Sequence, residues 1–211
     1  MADASGLRLV ALKCSKCGSL LKAEPNDHVF YCNNCGTGFE LINEKDELVA
    51  VNIDFALPVK KQDAEIVYLP FWVFDTNIQI SSRDGSQTLG SAAGFIKNVF
   101  SGGEGSKPVT KFYVPAFDTP ITNIRTLGME FTKNQPELEN IKKDKLTGCR
   151  FSSGDAEKLA DFIFLSMEAE KPDMLKSITY SLGLSSPRAI GIPFYKTGGS
   201  LVDGILGIAI S

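Results

Sequence analysis

The chain of 211 residues has a formal net charge of −3, and 43% of its residues are hydrophobic. These values are typical of a globular protein with room for one sizeable core and a smaller module. No stretch reaches the roughly 18 uncharged apolar residues that a membrane-spanning helix needs, so we expect no such helix.

Four of the five cysteines occur in two matched C-x-x-C-G motifs. Cys14 and Cys17 form the first motif, and Cys32 and Cys35 form the second, with fourteen residues between Cys17 and Cys32. Two cysteines separated by two residues direct both thiolates toward one point, and the following glycine readily takes the positive φ of a tight knuckle. The spacing predicts one structural Zn²⁺ ion held by four thiolates, with no ligand position left open for water.

Three other uses of these cysteines are disulfide bonds, a redox centre and an iron site. Residues 1–12 lack the uninterrupted apolar core of a signal peptide, which favours a reducing, cytoplasmic location over disulfides. A thioredoxin-like centre uses one C-x-x-C motif rather than two. Iron is an alternative ion for four cysteines, although the spacing favours zinc.

Short β-favouring runs flank a turn-forming cluster between the two motifs. Residues 20–21 and 29–31 lie on either side of residues 24–27, which predicts a hairpin with one motif at each end, and residues 39–42 offer a third strand. Residues 8–42 therefore resemble the zinc-ribbon family, a fold also found in general transcription factors and RNA polymerase subunits. The resemblance suggests nucleic-acid binding as an alternative function.

The charge of the ribbon argues against nucleic acid as its partner. Residues 8–42 hold four basic and three acidic side chains, and Zn²⁺ with four thiolates adds two negative charges. Proteins that grip DNA or RNA usually carry a basic surface. A docking or structural role is the better interpretation.

We assign residues 1–43 to the zinc ribbon, 44–60 to a connection and 61–211 to a β-rich domain. Three runs in this domain have the same pattern, a β-favouring segment that ends in proline followed by an aromatic or small residue, at 66–71, 112–117 and 189–194. Proline has no backbone N–H to donate to a neighbouring strand, so each strand is expected to bend, end or lie at an edge there. Each run precedes a second segment predicted as β, at 72–80, 121–131 and 201–210.

The predicted fold class is therefore α+β, a zinc ribbon followed by a mainly antiparallel β domain with one clear helix. The whole chain is similar to bacterial proteins that join a zinc ribbon to a β-rich domain with such strands, a similarity that implies no particular activity. We expect the aromatic residues beside the prolines to pack in the core rather than line a peptide groove. They are Phe71, Trp72, Phe74, Phe117, Phe194 and Tyr195.

Residues 155–170 predict an amphipathic helix. Ser153 or Asp155 is the expected cap, and Lys171 with Pro172 ends the helix. Residues 136–145 predict a second, short helix. The apolar stripe of the first helix is Ala156, Leu159, Phe162, Ile163 and Met167.

Residues 91–106 predict a docking segment. Placed on a helix, Phe95, Ile96, Val99 and Phe100 fall on one face, and a glycine-rich stretch follows. The expected partner is another protein or a second copy of the chain. A single lysine gives little attraction to anionic lipid, so contact with a membrane surface is weakly supported.

Catalytic chemistry has little support in the sequence. Cys149 is expected to be a buried small apolar residue, and His28, the only histidine, a surface or turn residue. Asp75 and Asp118 are the best carboxylate pair, with turn residues as the favoured interpretation. We therefore expect a non-catalytic zinc-binding adaptor or scaffold, with a nucleic-acid accessory factor in transcription or replication, or an enzyme with an unrecognised carboxylate site, as alternatives.

Overall fold

The computed structural model has ten strands in two sheets and two helices within the residues that it describes, which are 12–22, 24, 26–42, 47–85, 109–140, 146–172 and 174–211. The helices are α1 (Ile121–Lys133) and α2 (Ser153–Ala169). The strands are β1 (Val29–Tyr31), β2 (Gly38–Ile42), β3 (Glu47–Val51), β4 (Ile53–Ala56), β5 (Ile66–Gly85), β6 (Lys111–Pro115), β7 (Leu138–Glu139), β8 (Leu175–Thr197), β9 (Ser200–Asp203) and β10 (Ala209–Ile210). Among these named strands, every pairing except that of β4 with β8 is antiparallel, which agrees with the predicted class.

The small sheet lies near the N-terminus and has the strand order β1-β2-β3. The third strand predicted at residues 39–42 is β2, and it pairs directly with β1. The prediction that residues 20–21 pair with β1 is wrong, because Leu20 pairs with Lys13 instead. The first cysteine motif turns back on itself, since the Cys14 N–H donates to the Ser19 carbonyl at 2.9 Å, and this turn brings Leu20 opposite Lys13.

Segment 44–60, which the sequence analysis assigned to a connection, contributes to both sheets. Strand β3 pairs with β2 in the small sheet, and β4 joins the large sheet by pairing with β8 and β7. Asn52 is the one residue between β3 and β4. We name the described residues from 12 to 51 the four-cysteine module.

The large sheet is built on β5 and β8, which pair from Ile66 opposite Tyr195 to Gly85 opposite Leu175. Strand β6 pairs with β5, and β9 pairs with β8. Strand β5 combines the two β segments that the sequence analysis separated at residues 66–71 and 72–80. The C-terminal half of β5 pairs with the N-terminal half of β8. We name these paired halves, residues 76–85 and 175–184, the arm.

Two prolines lie inside the long strands without interrupting the pairing of β5 with β8. The Pro70 carbonyl accepts from the Ala116 N–H at 2.9 Å, and the Pro193 carbonyl accepts from the Gly204 N–H at 2.8 Å. The N and C=O of a strand residue face the same edge, so the missing proline donor points away from the β5–β8 ladder. Only Pro115 ends its strand as predicted, since it is the last residue of β6.

Helix α2 confirms the predicted helix, with a different cap. Ser152 is the N-cap, and its hydroxyl accepts from the Asp155 N–H at 3.1 Å. Ala156 and Ile163 are buried as expected, but Phe162 is 38% exposed, so its place in the buried stripe was predicted wrongly. Phe164 is buried in place of Phe162, because its side of the helix packs against Tyr180 of the arm.

Residues 121–131 form most of helix α1, so the β prediction for this segment was wrong. Its β-branched residues favour a strand, but the buried Ile124, Leu127, Gly128 and Phe131 recur at helical spacing. Burial of that face outweighs local propensity. The short helix predicted at 136–145 is also wrong for its described part, where Leu138–Glu139 is strand β7.

The core of the large sheet consists of two apolar clusters on its opposite faces. Trp72 and Phe112 belong to a cluster with residues of α2, and Phe71 belongs to a cluster with Leu127 and Phe131 of α1. The six aromatic residues beside the prolines are all buried, which confirms core packing over a peptide groove.

Candidate metal centre

The four cysteine side chains of the two C-x-x-C-G motifs meet at one place in the four-cysteine module. Their sulfur atoms all lie within 4.8 Å of one another. Two pairs join the motifs, with 3.5 Å between the Sγ atoms of Cys14 and Cys35 and 3.5 Å between those of Cys17 and Cys32. These separations are far longer than the about 2.05 Å of a disulfide bond. The four cysteines are therefore not joined in disulfides, and their arrangement could hold one metal ion.

The two motifs have the same backbone geometry. Gly18 and Gly36 have positive φ of 73° and 76°, as the sequence predicts. The Gly18 N–H donates to the Cys14 carbonyl and the Gly36 N–H to the Cys32 carbonyl, both at 2.8 Å. A side chain at either glycine would strain the turn, because L residues rarely adopt this φ.

Sulfur separations of this size fit one tetrahedral ion. Metal–sulfur bonds of about 2.3 Å in a tetrahedron place the sulfur atoms about 3.8 Å apart. Cys14 and Cys32 are buried, Cys35 is half-buried and Cys17 is exposed. Four protein thiolates fill all positions of such a site, so it would have no open position for a substrate.

Hydrogen bonds prepare part of this ligand set for metal, which binds thiolates rather than thiols. Ser19, followed by Asn34, lowers the pKa of Cys17 to about 5 by hydrogen bonding to the thiolate. Thr37 lowers the pKa of Cys35 in the same way. Burial raises the pKa of Cys14 to about 11. In the absence of an ion, Cys17 would therefore lose its proton at a lower pH than Cys14.

The module docks on the rest of the protein through segment 146–153, which ends at the first residue of α2. Val29 of β1 forms an antiparallel bridge with Cys149, and the His28 N–H donates to the Cys149 carbonyl at 2.7 Å. Tyr31 reaches the main core, where its ring lies 5.7 Å from that of Phe55. The module thus shares a backbone pairing and an apolar core with the larger part of the protein.

Two buried carboxylates of the module find their partners in the same segment. Asp27 has its Oδ1 atom 3.2 Å from Nη1 of Arg150, which also contacts Glu24. Glu40 accepts from the backbone N–H of Ser153 at 3.1 Å and from its hydroxyl at 2.9 Å. Sequence reasoning missed these contacts, because their partners lie more than a hundred residues apart along the chain.

Cys149 is buried in the main core, as predicted. Burial, followed by the nearby carboxylates of Asp27 and Glu40, raises its pKa well above the usual range. The side chain is therefore a neutral thiol at physiological pH and no candidate nucleophile. His28, predicted as a surface or turn residue, is half-buried, and its Nδ1 atom has no hydrogen-bond partner among the residues that the structure describes.

The two candidate carboxylates Asp75 and Asp118 do not converge. Asp75 lies opposite Lys111 at the start of β6, and its Oδ1 atom is 3.5 Å from Nη2 of Arg188. Asp118 follows the other end of β6, a strand that spans about 13 Å. Asp118 lines a cleft of about 360 Å³, together with Asp27 and Arg150. Asp75 does not line this cleft. The alternative of a carboxylate pair is therefore not supported, and the favoured expectation of a turn residue is wrong for Asp75, which lies within β5.

The predicted docking residues Phe95, Ile96, Val99 and Phe100 lie outside the described residues, as does the glycine-rich stretch after them. Their role stays a prediction. Within the described residues, no helix combines the length and apolar character that crossing a membrane requires.

The fold and site define the class of this protein as a β-rich α+β protein with a four-cysteine candidate metal centre near its N-terminus. Comparison with protein-family models finds no matching family, and searches of curated proteins and of solved structures also find no match.

Proposed function

We propose that the protein binds one Zn²⁺ ion through Cys14, Cys17, Cys32 and Cys35, and that this ion is structural. The convergence of the four thiols within 4.8 Å is the observation that carries the proposal. Zinc is favoured over iron by the matched knuckles and by the usual ligand set of four-cysteine structural sites. A closed site of this kind contributes folding energy and performs no reaction.

Metal analysis of the purified protein and two cysteine variants tests this proposal. We expect one zinc per chain in the wild type and in Cys149→Ala, and loss of zinc in Cys32→Ser. Cys149 is a matched control, because it is buried like Cys32 but lies outside the cluster. Equal zinc content in all three proteins, or iron in place of zinc, would contradict the proposal.

The biological role that we propose is that of a protein-interaction adaptor or scaffold that acts without catalysis. The non-catalytic part of this proposal is supported by four protein thiolates, which would leave no open position on a bound ion, and by the separation of Asp75 from Asp118. The docking residues remain those predicted from the sequence, Phe95, Ile96, Val99 and Phe100.

The adaptor role is tested by affinity purification from the native host with two matched variants. Replacing Phe95, Ile96, Val99 and Phe100 by serine should remove a stoichiometric partner protein, or a second copy of the chain. The control replaces Lys97 and Asn98 of the same segment by serine and should retain the partner. Failure of any stoichiometric partner to copurify with the wild type would count against the role.

A further inference from the structure

We propose that metal binding in the four-cysteine module controls the position of segment 146–153 and the start of α2, so that the environment of Trp72 reports metal occupancy. This inference rests on the proposed metal binding and goes beyond it, because it assigns the ion an effect outside the module. Three sets of contacts connect the cysteine cluster to Trp72.

The first contact set joins the ligands to segment 146–153. Cys32 directly follows Tyr31, the last residue of β1, so the metal site fixes the end of this strand. Strand β1 carries Val29, which bridges to Cys149 through the Cys149 N–H and the Val29 carbonyl at 3.4 Å. A displacement of β1 therefore acts on segment 146–153 through the backbone.

The second contact set consists of the two buried carboxylates. Asp27 and Glu40 are each 8% exposed, and their partners are Arg150 and the first residue of α2, Ser153. A carboxylate at a helix N-terminus satisfies a free N–H and interacts favourably with the helix dipole. If the module moved away, Arg150 and the first turn of α2 would lose these partners.

The third contact set joins the segment to the large sheet. The Trp72 indole Nε1–H donates to the carbonyl of Phe151 at 2.9 Å, and the Arg150 N–H donates to the Ala116 carbonyl at 2.7 Å. Trp72 is fully buried and is the only tryptophan of the chain. Its fluorescence therefore reports on the segment that the module holds.

The module depends on the ion because its own core is small. The buried residues of that core are Cys14, Leu21, Phe30, Cys32 and Phe39, and two of the five are metal ligands. Apolar burial on this scale does not usually stabilise a fold without a metal or disulfides. Loss of the ion should therefore open the module and release its contacts with the segment.

Coupling of this kind is reciprocal. If metal binding stabilises the docking of the module, then a change that weakens docking must lower metal affinity by the same factor. Gly148 allows a test from outside the module, because a Cβ atom at this position would lie 2.1 Å from the carboxyl carbon of Asp27. Alanine at position 148 would displace the Asp27 carboxylate from its place beside Arg150, while the amino-acid sequence of the module stays unchanged.

The experiment measures zinc affinity by chelator competition in three proteins. We expect Gly148→Ala to weaken zinc binding by about tenfold, within the usual range of coupling between sites. Gly154→Ala is the matched control, because apart from its chain neighbours and the helix backbone the nearest atom to its Cβ would be Ser152 Oγ at 3.9 Å, and it should bind zinc like the wild type. Equal affinities in Gly148→Ala and the wild type would overturn the inference.

A second measurement needs only the wild type, so it holds even if Gly148→Ala folds poorly. Zinc is removed with a chelator while metal content, tryptophan emission and amide hydrogen exchange are followed. We expect a red shift of Trp72 emission and faster exchange at residues 149–156, whereas the amides of β8 paired with β5 should change little. Zinc loss without these changes would overturn the coupling and leave zinc binding intact. A protein that binds no zinc at all would overturn both.

Discussion

Arg83 near the end of β5 places its guanidinium Nε 2.9 Å from the Oε2 atom of Glu168 in the last turn of α2. Glu168 is only 1% exposed, and its Oε1 atom also lies 2.5 Å from the ammonium group of Lys171. The ion pair links the arm to α2. A second contact lies one helical turn earlier, where the ring of Phe164 is 4.5 Å from that of Tyr180 in the arm.

Removal of the Glu168 carboxylate should destabilise the protein strongly. Glu168→Ala removes the buried carboxylate that contacts both Arg83 and Lys171, and breaking a buried ion pair from one side costs about 3 kcal/mol or more. The measurement is the free energy of unfolding in urea. Glu170→Ala is the control, because Glu170 is about half exposed and lies 3.7 Å from Arg125, so its loss should cost less than about 1 kcal/mol. Equal effects of the two variants would contradict the prediction.

Gly128 marks a close contact between the two helices. A Cβ atom there would lie 2.4 Å from Cδ1 of Ile163, so Gly128→Ala should destabilise the fold by about 1 to 3 kcal/mol despite the better helix propensity of alanine. The double variant Gly128→Ala with Ile163→Val removes the clashing methyl group and should recover part of the loss. A stabilising effect of Gly128→Ala alone would show that propensity outweighs packing here.

The burial of α2 predicts unequal effects of two neighbouring phenylalanines. Phe164 is fully buried, so Phe164→Ala should cost about 3 to 5 kcal/mol, whereas Phe162→Ala should cost less than about 1 kcal/mol because Phe162 is 38% exposed. Thermal and urea unfolding of both variants check the difference. The reverse order would mean that the helix presents a different face to the core.

Cys149 should make the protein sensitive to alkali. Burial raises its pKa above the ordinary 9.0, so the folded state favours the neutral thiol. Its contribution to stability is present below pH 9 and is lost as the pH rises through the raised pKa, because only the unfolded chain ionises freely. We expect unfolding experiments between pH 8 and about 10 to show a steeper loss of stability in the wild type than in Cys149→Ala. Parallel pH profiles would contradict this prediction.

The same thiol should resist alkylation in the folded protein. Iodoacetamide reacts with thiolates, and Cys149 is both buried and neutral at pH 8. Mass spectrometry should therefore find Cys149 unmodified until denaturant is added. Modification of Cys149 under native conditions would show that segment 146–153 opens readily.

The cluster of four cysteines and helix α2 were predictable because their signals are local. The two C-x-x-C-G motifs define a knuckle over five residues each, and the positive φ of Gly18 and Gly36 follows from that short geometry. Helix α2 has a polar cap, apolar residues at helical spacing and a stop at Pro172 within one stretch of chain.

The remaining features depend on contacts between distant parts of the chain. Residues 121–131 were misread because β-branched propensity favours a strand, while burial against the sheet and α2 favours the helix that forms. In the same way, nothing near Glu40 indicates that its carboxylate binds the start of α2, 113 residues away. The turn geometry of each knuckle depends only on adjacent residues, so the sequence by itself determined the cysteine knuckles. Only the tertiary structure decided which helix face is buried and what the module docks against, because those choices minimise the free energy of the whole assembled core.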